Sequence, residues 1–200
     1  MISGLQIKEL AVSRGGRSLF RGLNLDLAAG QACALTGRNG SGKTSLLRAI
    51  SGLLEPDQGE ITFGGLDSDQ ARRTAIHLVG HADGLKTGQT ARDELTFWIC
   101  WTGGTAEAMA MAVQRLELAP LLDLEVRRLS AGQKRRIALA RLLAAPRRLW
   151  LLDEPLSPLD AVWRTRFGEM MAEHLKDGGM IVAAIHDPLP VPALALEITP

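Results

Sequence analysis

Apolar and polar residues change rhythm twice along the chain. Residues 7–12 form a short apolar-rich run that stops at Arg14-Gly15-Gly16, a turn signal. Residues 19–27 then alternate, with Leu23, Leu25 and Leu27 on one face and Asn24 and Asp26 on the other, the period of a half-buried strand. After a turn at Ala28-Ala29-Gly30, residues 32–36 form a continuous apolar run, as expected of a strand buried on both faces. This run enters a glycine-rich loop, and over 43–53 the spacing becomes helical. Pro56, Asp57 and Gly59 end that helix, and 60–63 read as an edge strand. Between 90 and 129 strand signals give way to Ala, Leu, Met and Glu. The spacing predicts helices at 91–101 and 106–118, parted by Gly103-Gly104. The alternating plan then returns: a helix from about 132 to 144, a strand at 149–152, a helix at 161–176 and a strand at 180–185. Buried aliphatic strands alternating with helices predict an α/β fold with a largely parallel sheet, interrupted by a helical insertion.

Composition narrows the class. At 200 residues the chain suits one domain, with room for a small inserted subdomain. Lys and Arg total 23 against 22 Asp and Glu, so the balance argues against a strongly basic nucleic-acid binder or an acidic disordered tail. Aromatics are 4% and Tyr is absent, so the core is expected to be aliphatic. No apolar run reaches the ~18 residues of a membrane span. Lys8 and Glu9 lie where a signal peptide would be apolar, so no such signal is expected. Cys33 and Cys100 sit in unrelated apolar contexts with neither disulfide-framework nor metal spacing, and a reducing compartment is the expectation.

Three stretches carry candidate chemistry. Gly37-Arg38-Asn39-Gly40-Ser41-Gly42-Lys43-Thr44 fits the phosphate-binding pattern GxxxxGK[ST], followed by Ser45 at the start of the predicted helix. Glycines let backbone N–H groups converge on phosphate oxygens, and the helix adds its positive N-terminal end. Lys43 would reach the β- and γ-phosphates of a nucleotide, and the Thr44 hydroxyl would bind Mg²⁺. Leu149-Trp150-Leu151-Leu152-Asp153-Glu154 reads as a buried strand delivering two carboxylates at the edge where open α/β sheets bind ligands. Asp153 can hold Mg²⁺, directly or through water, and Glu154 is then placed to polarise an attacking water. Leu129-Ser130-Ala131-Gly132-Gln133 precedes a helix. It reads as a second anion site at a helix start, or as an ordinary serine cap.

The order of these motifs, followed by Ser157-Pro158-Leu159-Asp160 and Ile185-His186-Asp187, is similar to the ATP-binding cassette (ABC) ATPase family across nearly the whole chain. The resemblance implies a P-loop NTPase fold: a RecA-like core lobe (1–84 and 130–200) with an N-terminal antiparallel β part and a small α-helical subdomain at about 85–129. It also implies ATP and Mg²⁺ as cofactors and a head-to-tail homodimer. Each ATP would be held by the loop 37–45 of one subunit and by Ser130, Ala131, Gly132 and Gln133 of the other. Asp160 would connect the two sites, and His186 would contact the γ-phosphate and hold Glu154 and the water.

Two positions depart from the family pattern. The family's adenine-stacking aromatic falls near Arg14, whose guanidinium can stack on a base or simply be a solvated turn residue. The Q-loop glutamine falls near His81, whose ring nitrogen can face the metal-bound water or the γ-phosphate; Gln89 sits at the wrong offset. Phe97-Trp98-Ile99-Cys100-Trp101 is an aromatic cluster that suits either a docking face for a partner helix or the subdomain core.

Leu129-Ser130-Ala131-Gly132-Gln133 resembles the family's signature; the Lys-Arg-Arg after it, and Gly80-His81 with Gly84-Leu85-Lys86-Thr87, resemble most the ATP-binding subunits of bacterial cytochrome c biogenesis haem exporters. That resemblance implies integral membrane partners of the CcmB, CcmC and CcmD kind and a peripheral place on the cytoplasmic face of the inner membrane. It also implies haem delivery to a periplasmic chaperone. Export of another substrate is the competing reading within the same chemistry. A soluble ABC ATPase acting on ribosomes or DNA is disfavoured by the net charge of +1.

Overall fold

The computed structural model describes residues 2–199. The apolar run after the second turn is β3 (Ala32–Thr36), and it lies inside a sheet whose strands all run parallel. Its companions are β5 (Ile76–Val79), β6 (Leu149–Asp153), β7 (Met180–Ala184) and β8 (Leu194–Glu197), in the order β5-β6-β7-β3-β8. All residues of β6 and β7 are buried. Alternate side chains point to opposite faces, and both faces are covered. Cys33, Leu35, Leu149, Leu151 and Val182 pack towards one hydrophobic cluster, while Ala32, Ala34, Trp150, Leu152, Ile181 and Ala183 pack towards the other. That is why these strands read as unbroken apolar runs.

A three-stranded antiparallel sheet, ordered β2-β1-β4, joins the first cluster: β1 (Gly4–Arg14), β2 (Arg17–Ala28) and β4 (Gln58–Phe63). β1 and β2 form a hairpin closed by Gly15 and Gly16, with φ of 58° and 76°, the backbone that a tight two-residue turn requires. Leu23, Leu25 and Leu27 face inward, as the alternation predicted; Phe20 is buried as well, out of phase with them, because the register with β1 shifts between Leu23 and Phe20, where Gly22 takes a φ of 63°. The helix α1 (Lys43–Ile50) packs between the two sheets and ends earlier than its spacing suggested, because Gly52 takes a φ of 78°.

The second cluster holds the helices α3 (Ala91–Thr102), α4 (Ala106–Arg115), α5 (Ala131–Ala144) and α6 (Ala161–Lys176), with a 3₁₀ turn at Ala119–Leu121; a second 3₁₀ turn, Val126–Arg128, leads into α5. Their starts are fixed chemically. Thr90, Thr105, Ser130 and Asp160 each accept a backbone N–H three residues on, and Thr90–Asp93 and Ser130–Gln133 close reciprocal capping boxes. Three elements were not expected from the sequence: α2 (Ser68–Thr74), β5 and β8. α2 is short and charged, with only Ala71 buried. Among the described residues no helix is long and apolar enough to cross a membrane.

Candidate nucleotide site

The glycine loop leaves the buried end of β3 and returns as α1. Gly37 has a φ of 128°, and a Cβ there would lie 2.6 Å from the Ile198 carbonyl oxygen. Gly42, with φ 111°, caps α1 without a side-chain bond, and a Cβ there would strike the Phe20 ring at 2.9 Å. Only glycine fits either position, and the first-turn N–H groups of α1 are left for an anion. Ser41 Oγ is buried with no hydrogen-bond partner, an orphan donor inside the loop. Lys43 Nζ donates to the Gly37 carbonyl at 2.7 Å, folded back over the loop it would share with a phosphate.

β6 brings the carboxylates. Asp153, 5% exposed at the strand end, accepts a hydrogen bond from Thr44 Oγ1 at 2.9 Å. The two Mg²⁺ ligands expected from the sequence are thus adjacent, although they come from distant parts of the chain. Among the described residues no group of three or more His, Cys, Asp or Glu could hold a metal. One hydroxyl and one carboxylate suit Mg²⁺, which keeps waters and takes the rest of its shell from phosphate oxygens.

Glu154 has a φ of 49°, a left-handed conformation that costs a non-glycine residue of order 1–3 kcal/mol. Its N–H donates to the Ala184 carbonyl at 2.9 Å, which ties it to the end of β7. Its carboxylate lies between two histidines: Oε1 is 3.1 Å from His186 Nε2, and Oε2 is 3.4 Å from His81 Nδ1. A cleft of about 550 Å³ gathers Arg14, the loop residues 39–45, Arg48, His81, Asp153 and Glu154. Arg14 and His81 therefore lie in the same hollow as the phosphate loop, and His81 faces Glu154.

The signature serine is a genuine cap: Ser130 Oγ accepts from Gln133 N–H at 3.2 Å, and Gln133 Oε1 accepts from Ser130 N–H at 2.8 Å. A Cβ at Gly132 would lie 3.0 Å from the Pro158 carbonyl oxygen, so α5 begins tight against the 157–160 turn. Ser130, Gly132, Gln133 and Asp160 line a separate hollow of about 310 Å³, with Arg136 and Trp163. No residue of this hollow also lines the cleft around Lys43. The Asp160 carboxylate accepts from Trp163 N–H at 2.9 Å. Within one chain the phosphate loop and the signature do not share a site.

Several residues here escaped the sequence reading. Arg135 stands in the basic run Lys134-Arg135-Arg136 yet is 1% exposed. The signal was available, since Arg135, Ala138, Leu139 and Leu142 recur at the helical spacing of a buried stripe. Arg141 is also buried, with its guanidinium 4.6 Å from the Trp98 ring, and burial pushes its pKa down to about 10. Arg136 lies 4.3 Å over the Trp163 ring. The aromatic cluster divides. Trp98 tucks under Arg141, while Trp101 is 74% exposed and stacks on the half-exposed Phe97 at 6.3 Å.

Residues 20–157 match the family model described as ABC transporter. The cytochrome c biogenesis ATP-binding export protein CcmA of Rhodopseudomonas palustris (strain BisB5) is 45% identical over 185 residues, covering 92% of each chain. Its counterpart from Brucella abortus (strain 2308) is 42% identical, covering 92% of this chain and 86% of its own. Among solved structures, a putative ABC transporter ATP-binding protein from Pyrococcus furiosus superposes with a TM-score of 0.84 over 98% of each chain, at 23% identity.

Proposed function

We propose that this chain, which belongs to the ABC transporter family of ATP-binding subunits, powers an export step of cytochrome c biogenesis, with haem delivery as the work done. The observation that carries the ATPase chemistry is the convergence on one cleft of the glycine loop, the Thr44–Asp153 pair and Glu154 flanked by His186. The cytochrome c assignment is supported by the names and high coverage of the relatives.

The loop N–H groups and the N-terminus of α1 bind the phosphates, with Ser41 Oγ as a further donor. Lys43 exchanges the Gly37 carbonyl for β- and γ-phosphate oxygens. Thr44 and Asp153 would hold Mg²⁺, which when bound neutralises charge on those oxygens. Glu154 accepts a proton from the attacking water, and ATP and water leave as ADP and phosphate. His186 holds the Glu154 carboxylate and reaches the γ-phosphate. Arg14 stacks on the adenine. Because Ser130 and Gly132 face a different hollow, they serve the nucleotide of a second copy, where the N-terminus of α5 offsets charge on the transferred group. Asp160, beside them, links the two sites.

Residues 85–129 form the helical subdomain that meets the membrane subunits, of the CcmB, CcmC and CcmD kind. Phe97 and Trp101 lie on the face it offers. The chain is peripheral, held at the cytoplasmic side of the inner membrane by those subunits. Expressed with its membrane subunits in a bacterium that has lost its own cytochrome c ABC ATPase, it should restore haem-stained cytochrome c, and Lys43→Ala should not. Hydrolysis of ATP with cytochrome c left at background would overturn the cargo assignment.

A further inference from the structure

We infer that His81 is a positioning residue for Glu154, and that the buried Arg135, paired with the part-buried Asp83, holds it in place. This rests on the reading of Glu154 as the base of hydrolysis.

The topology sets up the arrangement. β6 lies between β5 and β7. Glu154 follows β6, His81 follows β5 and His186 follows β7, so the carboxylate is approached by one histidine from each flanking strand. The contacts fall on opposite oxygens, 3.1 Å from His186 Nε2 to Oε1 and 3.4 Å from His81 Nδ1 to Oε2. The terminal torsion of a glutamate is soft and roughly two-fold. A contact at one oxygen leaves the other free to swing. Contacts at both fix the carboxylate plane, and with it the lone pair that accepts the water's proton.

Packing alone does not keep His81 there, because its side chain is 73% exposed. Its backbone is fixed instead by one guanidinium. Arg135 donates to the Gly80 carbonyl at 2.9 Å and to the His81 and Glu154 carbonyls at 3.3 Å each, and it pairs with Asp83 at 3.1 Å. The same side chain therefore holds the loop that carries His81 and the residue that His81 faces. A planar fork of five N–H donors can serve these partners together, and a lysine cannot. Arg135 also stands in the second turn of α5, whose first residue follows Ser130. The helix that meets the partner's nucleotide is in this way tied to the base of its own subunit.

The test uses the full chain assembled with its membrane subunits, with ATP turnover followed over a range of ATP at saturating Mg²⁺. His81→Ala, at an exposed side chain, should lower kcat about 10-fold, part of what a positioned base contributes, and leave the ATP KM within about two-fold. His81→Gln, whose amide can donate to the same oxygen, should recover most of the loss. Arg135→Ala should lower kcat likewise, and His81→Ala with Arg135→Ala should be no slower than the slower single variant, as expected of residues acting in series. If Arg135→Ala melts far below the parent, Asp83→Asn takes its place in the same comparison. Glu154→Gln, run alongside, separates the two levels. Retained turnover there would overturn Glu154 as the base. Loss of turnover there, with His81→Ala at the parental rate, would overturn the positioning role alone. Multiplying effects in the double variant would overturn the part assigned to Arg135.

Discussion

Acidification from pH 7 to pH 5 should remove about 2 kcal/mol of stability through one side chain, His77. It sits in β5, 3% exposed, with Nε2 2.5 Å from the Ala145 carbonyl oxygen at the end of α5. A carbonyl only accepts, so Nε2 carries the hydrogen and Nδ1 is where a second proton would go. Burial is the main reason its pKa falls from 6.5 to about 3; the Ala145 carbonyl raises it, and Arg147, Arg141 and His174 lower it further. The folded value lies below the unfolded one. Between about pH 6.5 and pH 3 the unfolded chain therefore binds a proton that the native chain does not. Stability falls as pH drops through that window and is regained above it. Each pH unit inside the window is worth about 1.4 kcal/mol, which gives the figure above. Urea unfolding followed by tryptophan fluorescence at both pH values, for the parent and His77→Gln, isolates the effect. The glutamine keeps a donor for Ala145 and does not titrate. The parent should lose about 2 kcal/mol more than the variant between the two pH values. Parallel losses would refute the account of His77 as a buried neutral anchor for the far end of the signature helix.

Other expectations follow from the site. Thr44→Val removes the hydroxyl beside Asp153, so a Mg²⁺ titration of ATP turnover should shift to higher metal, and an unchanged midpoint would count against Thr44 as a ligand. Arg14→Ala should weaken binding of a fluorescent ATP analogue about 5-fold, within the range of a cation–π contact, and equal affinity removes the stacking role. Trp101→Ser, at a 74% exposed ring, should change stability by no more than about 0.5 kcal/mol while reducing co-purification with the membrane subunits. Full recovery of the complex would exclude that face from docking.

How much could be read in advance depended on how local the cause was. The glycine loop, β3 and β6 announce themselves through apolar runs and glycines a few residues apart. β5 does not, because Ile76-His77-Leu78-Val79 is a buried strand only if His77 finds the carbonyl of Ala145, 68 residues away. β8 follows Pro188, Pro190 and Pro192, which read as loop, and its place beside β3 comes from the sheet. Trp98 and Trp101 share a helical spacing, and spacing says that they share a side, not that the side is covered. The left-handed backbone of Glu154 has no local signal either, since nothing in the residue type or its neighbours calls for a positive φ. From the sequence the His81 ring nitrogen was read as able to face the metal-bound water or the γ-phosphate, and its contact in the structure is with Glu154. Arg135 was hidden by its charge, which composition assigns to the surface and helical phase assigns to the core.

The signature and the phosphate loop of one chain lie in separate hollows, and the proposed function therefore has two copies share each ATP site. Light scattering on the purified Glu154→Gln chain, with and without ATP and Mg²⁺, measures this directly. With nucleotide the mass should double, with one ATP held per chain, and it should halve again when ATP is removed. Ser130→Arg in the same background should bind ATP and stay single. A Glu154→Gln chain that remains a monomer at saturating ATP and Mg²⁺ would contradict a site shared between subunits.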